Sequence, residues 1–327
     1  MSTSSSAQAA INPFWPSAEM ASTSVEEFHT VLSSSTRIMA LCGAGLSAAS
    51  GLETFRGAGG MWRNYQATAL ATPEAFERDP GLVWLFYSMR RHKALQAKPN
   101  MGHYALAELS RKMPEGFITL TQNVDGLSQR ANHPRPQLKL LHDSIFDIKC
   151  FDCDYREMNN FDDPYHPSLA NHTPEEVNDR LVNTVTARAA LLDPATPPAI
   201  PRSELPHCPS CKDGLLRPGV VWFGESLPEE TLEEADDWVN SGPIDLCLVI
   251  GTTATVYPAA SYVDIARSRG ARIVVINMDR EELGSAKNLR DGDFLFEGDA
   301  SKILPEILKP IIGDLDEEAL RANEGGK

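Results

Sequence analysis

Two Cys-x-x-Cys pairs, Cys150–Cys153 and Cys208–Cys211, constrain this chain more than any other feature. Two thiolates two residues apart on a tight knuckle reach one metal, and two knuckles close a tetrahedral zinc shell. The fold must therefore bring residues 150–153 and 208–211 to one point, with 154–207 as a long Pro-, Asn- and Asp-rich insert. Four sulfur ligands leave no position for water or substrate, so such an ion is structural. The competing reading, two redox pairs, expects a helix start after a strand, and neither pair has that setting. Six cysteines in 327 residues are too few for a disulfide scaffold, and this usage suits a reducing compartment. Cys42 and Cys247 fall within apolar runs and read as small core residues.

The rest of the chain reads as α/β. Arg37-Ile-Met-Ala-Leu-Cys42 predicts a buried strand, and Phe117–Thr121 a second. Asp245–Gly251, a helix from about Pro258 to Arg269 and then Ala271–Asn277 form a βαβ unit, which implies a parallel sheet. Val25–Leu32 predicts a short helix, and Pro73–Glu108 a long helical stretch. These segments divide the chain into a sheet domain over 25–149 and 212–313, with a helical insert at about 63–115 and a zinc module at 150–211. Residues 1–24 and 314–327 read as flexible tails.

Gly43-Ala44-Gly45-Leu46-Ser47-Ala48 fits G-x-G-x-x-A between a strand and a helix opening at Ser47. In that pattern the first glycine permits the turn, the second lets a pyrophosphate approach, and the small last residue allows close helix packing. An ordinary turn gives the same pattern. A simple dehydrogenase would place Asp or Glu about twenty residues on. Here Thr54-Phe55-Arg56-Gly57 begins a polar glycine-rich loop, and the ribose candidate is Asn277-Met278-Asp279, after the last buried strand expected. Hydride transfer fits poorly, and a nucleotide fold with a loop over the cofactor fits better.

The order of these motifs resembles the sirtuins, NAD-dependent protein-lysine deacylases. The resemblance rests on Gly43–Arg56, Thr121-Gln-Asn-Val-Asp125, His142, the four cysteines, Val221–Glu225, Gly251-Thr-Thr253 and Asn277, spread from about Arg37 to Leu308. It implies a Rossmann-like domain with an inserted structural zinc module on Cys150, Cys153, Cys208 and Cys211. NAD would be consumed as a co-substrate in the cleft between them. Gly43, Ala44, Gly45, Ser47, Ala48, Thr54, Phe55, Arg56 and Trp62 would cradle it. Gln122, Asn123, Val124 and Asp125 would line its nicotinamide end, while Gly251, Thr252, Thr253, Asn277, Met278, Asp279 and Ala300 would hold the adenosine half. Val221, Trp222, Phe223, Gly224 and Glu225 would pair as a strand with the substrate peptide, with Tyr257 as a further contact. His142 would be the base that takes a ribose hydroxyl proton, and Asn123 its catalytic companion. The products would be nicotinamide, free lysine and O-acyl-ADP-ribose.

Tyr87 and Arg90 share one helix face. A guanidinium has no use in an apolar acyl pocket but grips a carboxylate with two parallel N–H bonds. With the small Ala71, the pair resembles the sirtuins that remove succinyl, malonyl and glutaryl groups. In this family the catalytic histidine is usually followed by glycine, whereas Asp143 stands here. A carboxylate directed at the ring would raise the His142 pKa and move the activity optimum upward. The competing functions are a plain lysine deacetylase, an ADP-ribosyltransferase, or a noncatalytic NAD- or ADP-ribose-binding module.

The chain has 30 Lys and Arg against 45 Asp and Glu, a formal net charge of −15. Broad contact with a nucleic-acid backbone needs clustered positive charge, so none is expected. Acyl-lysine proteins or peptides are the expected partners. No apolar run approaches the ~18–20 residues that cross a bilayer. No Lys or Arg precedes Arg37, unlike an Arg-rich transit peptide. The expected location is therefore the cytoplasm, with the nucleus second, and the expected state is a monomer.

Overall fold

The computed structural model describes residues 21–54, 61–62, 65–170, 199–279 and 288–322. Strand β1 (Ile38–Cys42) is entirely buried, as a continuous apolar run should be when both neighbours are parallel strands. After a ribbon of β2 (Met61–Trp62) and β3 (Tyr65–Gln66), β4 (Phe117–Thr121) pairs with β1 through Ile38↔Phe117, and β5 (Leu138–Leu140) pairs with β4. Strands β6 (Ile148–Cys150), β7 (Arg156–Glu157) and β8 (Leu216–Pro218) form a separate antiparallel sheet. The main sheet resumes with β9 (Leu246–Ile250), β10 (Arg272–Asn277) and β11 (Phe294–Glu297), giving the order β11-β10-β9-β1-β4-β5. All its pairings are parallel.

Alternation along these strands feeds two cores, because successive side chains point to opposite faces. Met39, Leu41, Cys247, Val249, Ile273 and Val275 meet Ala235 and Val239 of helix Glu229–Asn240 and Val263 and Ala266 of helix Ser261–Ser268. Ile38, Ala40, Leu248 and Val274 meet Phe28 and Leu32 of helix Val25–Ser34, Leu106 and Leu109 of helix Met101–Lys112, and Leu304 of helix Ala300–Ile307. The chain runs from β1 to one side and later returns to its other side at β9. This leaves a topological switch point between β1 and β9, the place where open α/β sheets bind ligands.

The 73–108 stretch is three helices, not one. Asp79 caps Pro80–Gln96 by accepting from the Leu82 amide, with Pro80 at its first position. Asn100 caps Met101–Lys112, just after Pro99. That third helix packs on the main sheet, so the helical insert ends before it. Its first two helices instead share a core with the zinc module, where Trp84, Phe86 and Tyr87 meet Ile148, Leu216 and Trp222. The module's sheet also extends beyond the expected 150–211 at both ends.

The sheet has two strands beyond those expected, β5 and β11 at its edges, and β11 follows the Asn277 strand. Residues 21–24 are anchored, since the Ser22 carbonyl accepts from Leu295 and Ser24 caps the first helix. The C-terminal segment holds a helix, Glu317–Ala322, with Leu320 packed near Tyr104. Among the described residues, no helix is long and apolar enough to cross a membrane.

Candidate active site

The carboxyl ends of β1, β4, β9 and β10 open onto one cavity of about 490 Å³. Its floor is two interlocked turns. A Cβ on Gly43 would sit 2.6 Å from Thr252 Cβ, and one on Gly45 would sit 2.6 Å from Gly251 Cα. The Gly43 amide donates to the Ile250 carbonyl at 2.9 Å and the Gly45 amide to Gly251 at 2.8 Å. Close backbone packing therefore requires these glycines, and their amides are spent on protein rather than left for a pyrophosphate. The following helix, Gly45–Ala48, is a single turn starting earlier than Ser47, so a long helix dipole does not face the cavity.

A polar cluster rises from this floor. Ser47 Oγ donates to Asp125 Oδ2 at 2.7 Å, and Asn123 Nδ2 donates to the Gly43 carbonyl at 2.9 Å and to Ser47 Oγ at 3.3 Å. Gln122 Nε2 bridges to Thr252 Oγ1 at 3.2 Å, tying the end of β4 to the end of β9. Beneath it lies His103, which sequence reasoning missed. The Asn100 amide donates to its Nδ1 at 3.2 Å, so Nε2 carries the proton, 3.5 Å from Ser47 Oγ. Burial pushes its pKa down to about 4, so the ring stays neutral. The available signal was the Asn100-x-x-His103 spacing of a capping box.

Ala44, Ala48, Thr54 and Val124 line the cavity, as do Thr253, Asn277, Met278 and Asp279 on the far side. Trp62 and Ala300 are not on its wall. Trp62 packs 5.5 Å from Phe86 in the helical lobe, and Ala300 is buried at a helix start. Phe55 and Arg56 lie outside the described residues.

His142 faces the same cavity. Its Nδ1 is 3.0 Å from the Gln122 carbonyl, which can only accept, so Nδ1 bears the proton and Nε2 keeps its lone pair. Burial lowers the ring's pKa, partly offset by that carbonyl. Asp143 does not raise it. Its backbone sits at φ 58°, the left-handed region that glycine fills freely and Asp tolerates. Its carboxylate lies 3.6 Å from Arg156 Nη1 in the zinc module.

The neutral, basic imidazole thus persists below the ordinary pKa of ~6.5. Activity is expected to be level above that pH and to fall only below it. Asp143→Gly is expected to leave this acid limb in place in a pH–rate profile. A limb displaced to lower pH would mean that the carboxylate had been feeding the ring.

The 221–225 segment is a turn rather than an open strand. Val221 donates to the His142 carbonyl at 3.1 Å, Phe223 to Ala71 at 3.0 Å and Glu225 to Trp222 at 3.0 Å. The Trp222 amide donates to Glu225 Oε2 at 2.7 Å. These four amides are therefore not available to a peptide. The Glu225 carboxylate is turned inward onto Arg217, where it clamps the turn, while the residue still borders the cavity. Gly224 has φ 91° and open space beside it. Phe223, Tyr257 and Met278 are the large apolar side chains left exposed on the rim.

Tyr87 and Ala71, both buried, and half-buried Arg90 line the cavity on the helical-lobe side. Lys93, which was not anticipated, lines it too and pairs with Glu53 at 2.9 Å.

The cysteine quartet closes as the spacing demands. All four Sγ atoms lie within 4.8 Å of one another, with Cys150–Cys211 and Cys153–Cys208 each at 3.7 Å. Zn–S bonds of ~2.3 Å arranged tetrahedrally give sulfur–sulfur edges of about 3.8 Å, so the cage fits zinc. The Asp152, Ser210 and Gly214 amides approach the sulfurs at 3.3–3.4 Å, as thiolate charge requires. No fifth ligand group joins them among the described residues.

Known proteins resemble this chain in sequence and in fold. A Sir2 family model matches residues 43–258. A Candida albicans protein named NAD-dependent protein deacylase is 47% identical over 313 residues, spanning 89% of this chain and 99% of its own. The dog (Canis lupus familiaris) NAD-dependent protein deacylase sirtuin-5, mitochondrial, is 38% identical over 299 residues, spanning 90% and 88%. A solved Sir2 homologue–NAD complex aligns with a TM-score of 0.66 at 32% identity, covering 92% of this chain and 95% of that one. Agreement of this extent, in sequence and in backbone alike, leaves one assignment: the chain belongs to the Sir2 family, the sirtuins.

Proposed function

We propose that this protein is an NAD-dependent protein-lysine deacylase acting on acidic acyl groups of the succinyl, malonyl and glutaryl type. The carrying observation is that Arg90 and Tyr87 share one cavity with the His142 imidazole. A carboxylate gripped by a guanidinium in a partly dry pocket gains the directional, charge-assisted bonds that an acetyl methyl cannot make.

NAD fits the crevice at the switch point, where Ser47, Gln122, Asn123, Asp125, Thr252, Thr253 and Asn277 would hold it. When bound, it would supply a ribose carbon activated by its nicotinamide leaving group and an adjacent hydroxyl that can take the acyl group. The chain's own residues do the positioning and the proton work. The Gln122 carbonyl fixes the His142 tautomer, so Nε2 is the atom that takes a hydroxyl proton. The Gly43 carbonyl and Ser47 orient the Asn123 amide. The bond from Val221 to the His142 carbonyl holds the peptide-side turn against the base. Zinc would sit on its four cysteines, none of which lines the cavity, with no open position for chemistry.

Nicotinamide release from NAD with succinyl-, malonyl- and acetyl-lysine peptides tests the reading. Release coupled to lysine deacylation is expected, with kcat/KM higher for the two acidic acyl groups. Equal rates would identify a plain deacetylase. Release without deacylation would point to transferase chemistry, and no release to a binding module.

A further inference from the structure

Resting on that reading, we infer that Trp222 is a positioning residue for acyl selectivity: its indole N–H occupies the Tyr87 hydroxyl as an acceptor and so aims the phenolic proton into the acyl cavity.

Trp222 Nε1 lies 3.0 Å from Tyr87 Oη, within a buried contact. An indole N–H can only donate, so the Tyr87 oxygen is the acceptor. A phenol carries a single proton, and with Trp222 on its lone pair that proton must find an acceptor elsewhere. No other partner is recorded for the Tyr87 hydroxyl among the described residues, while the side chain borders the cavity beside Arg90. A free phenol next to a guanidinium could instead rotate to accept from it and present nothing to a carboxylate. Trp222 fills the phenol's in-plane lone pair, which leaves the guanidinium only the weaker, ring-conjugated one and the proton the remaining in-plane direction. Burial also pushes the Tyr87 pKa up to about 12, so the proton is retained throughout the working range.

The indole is held too firmly to swing away. The Arg217 guanidinium lies 3.2 Å from its ring centroid, and Phe76 packs at 5.4 Å. Arg217 is itself fixed by both Glu225 oxygens and by the Val220 carbonyl. Glu225 also accepts the Trp222 amide, so one carboxylate clamps the backbone of the residue whose ring its arginine covers. The consequence is specific to the acyl group. A carboxylated chain offers an acceptor for the oriented proton, and an acetyl methyl does not.

The test is a double-variant comparison of Trp222→Phe and Tyr87→Phe, read as the ratio of kcat/KM on succinyl- and acetyl-lysine peptides. Trp222→Phe keeps an aromatic ring and deletes the N–H. It is expected to lower the ratio roughly five- to thirtyfold, chiefly through KM for the succinyl peptide. In the Tyr87→Phe background it is expected to lower the ratio no further, because the oriented proton is already gone. A merely structural role would depress both substrates and multiply through in the double variant, and either result would overturn the inference. Should Trp222→Phe melt well below the wild type, 3-benzothienylalanine at position 222 replaces the N–H by sulfur with the bicyclic shape kept, and the same pattern is expected. A ratio unmoved by position 222 in a protein that does prefer succinyl would sink this inference alone. A wild type without that preference would sink the acyl-group reading first.

Discussion

Arg90→Met lowers kcat/KM on succinyl-lysine peptides by roughly 30- to 150-fold and lowers it far less on acetyl-lysine peptides. The magnitude follows from leaving a carboxylate without its guanidinium in a partly desolvated pocket, which costs about 2–3 kcal/mol. The lower end of the usual range applies because Arg90 is half-buried and the cavity opens to solvent. Met keeps the length and apolar stem while removing the charge, so pocket shape is largely retained. Burial already pulls the Arg90 pKa downward, with Tyr87 and Asp125 pulling it back up. A bound carboxylate would act in that same upward direction, so the charge and its ligand stabilise one another. Steady-state kinetics on the two peptides decide it: equal losses would remove the case for an acid-recognising pocket.

His142→Ala costs about 10²–10⁴ in deacylation, the usual contribution of a positioned general base. The ring's Nδ1 is tied to the Gln122 carbonyl, and among the described residues no second imidazole lines the cavity wall to replace it. His103 lies behind Ser47 with its proton committed toward that side chain, so it offers no lone pair to the cavity. Raising the pH is not expected to rescue the variant, since the missing group is the base and not its protonation state. Zinc content should match the wild type, and the melting temperature should fall by only a few degrees, because the ring's bond to Gln122 is lost while the His142 carbonyl still holds the neighbouring turn. Activity retained within a few-fold would dismiss His142 as the base.

What could be read from residue order divides along physical lines. The strands β1, β4, β9 and β10 are buried on both faces, and such strands announce themselves as unbroken apolar runs. Leu138–Leu140 and Phe294–Glu297 are three- and four-residue strands at the sheet's two edges, too short to show a period. The cysteine cage was legible because metal geometry converts a spacing directly into a distance. Side-chain direction was not. Asp143 turns to Arg156, and Glu225 turns to Arg217, because the partners come from β7 and β8 of another sheet. Nothing local to either residue encodes that. The partners of the Gly43 and Gly45 amides are hidden from local sequence for the same reason, lying at the end of β9 some two hundred residues away.

The interlocked glycine turns carry a warning for genetics. A methyl group added at position 43 or 45 would strike Thr252 or Gly251 before it ever met a nucleotide. An alanine allele there would read in an assay as failed cofactor affinity, while the actual lesion would be two turns, after β1 and β9, unable to pack together. Tolerance at these two sites is thus governed by folding, and screening such alleles for catalysis alone would assign the defect to the wrong cause.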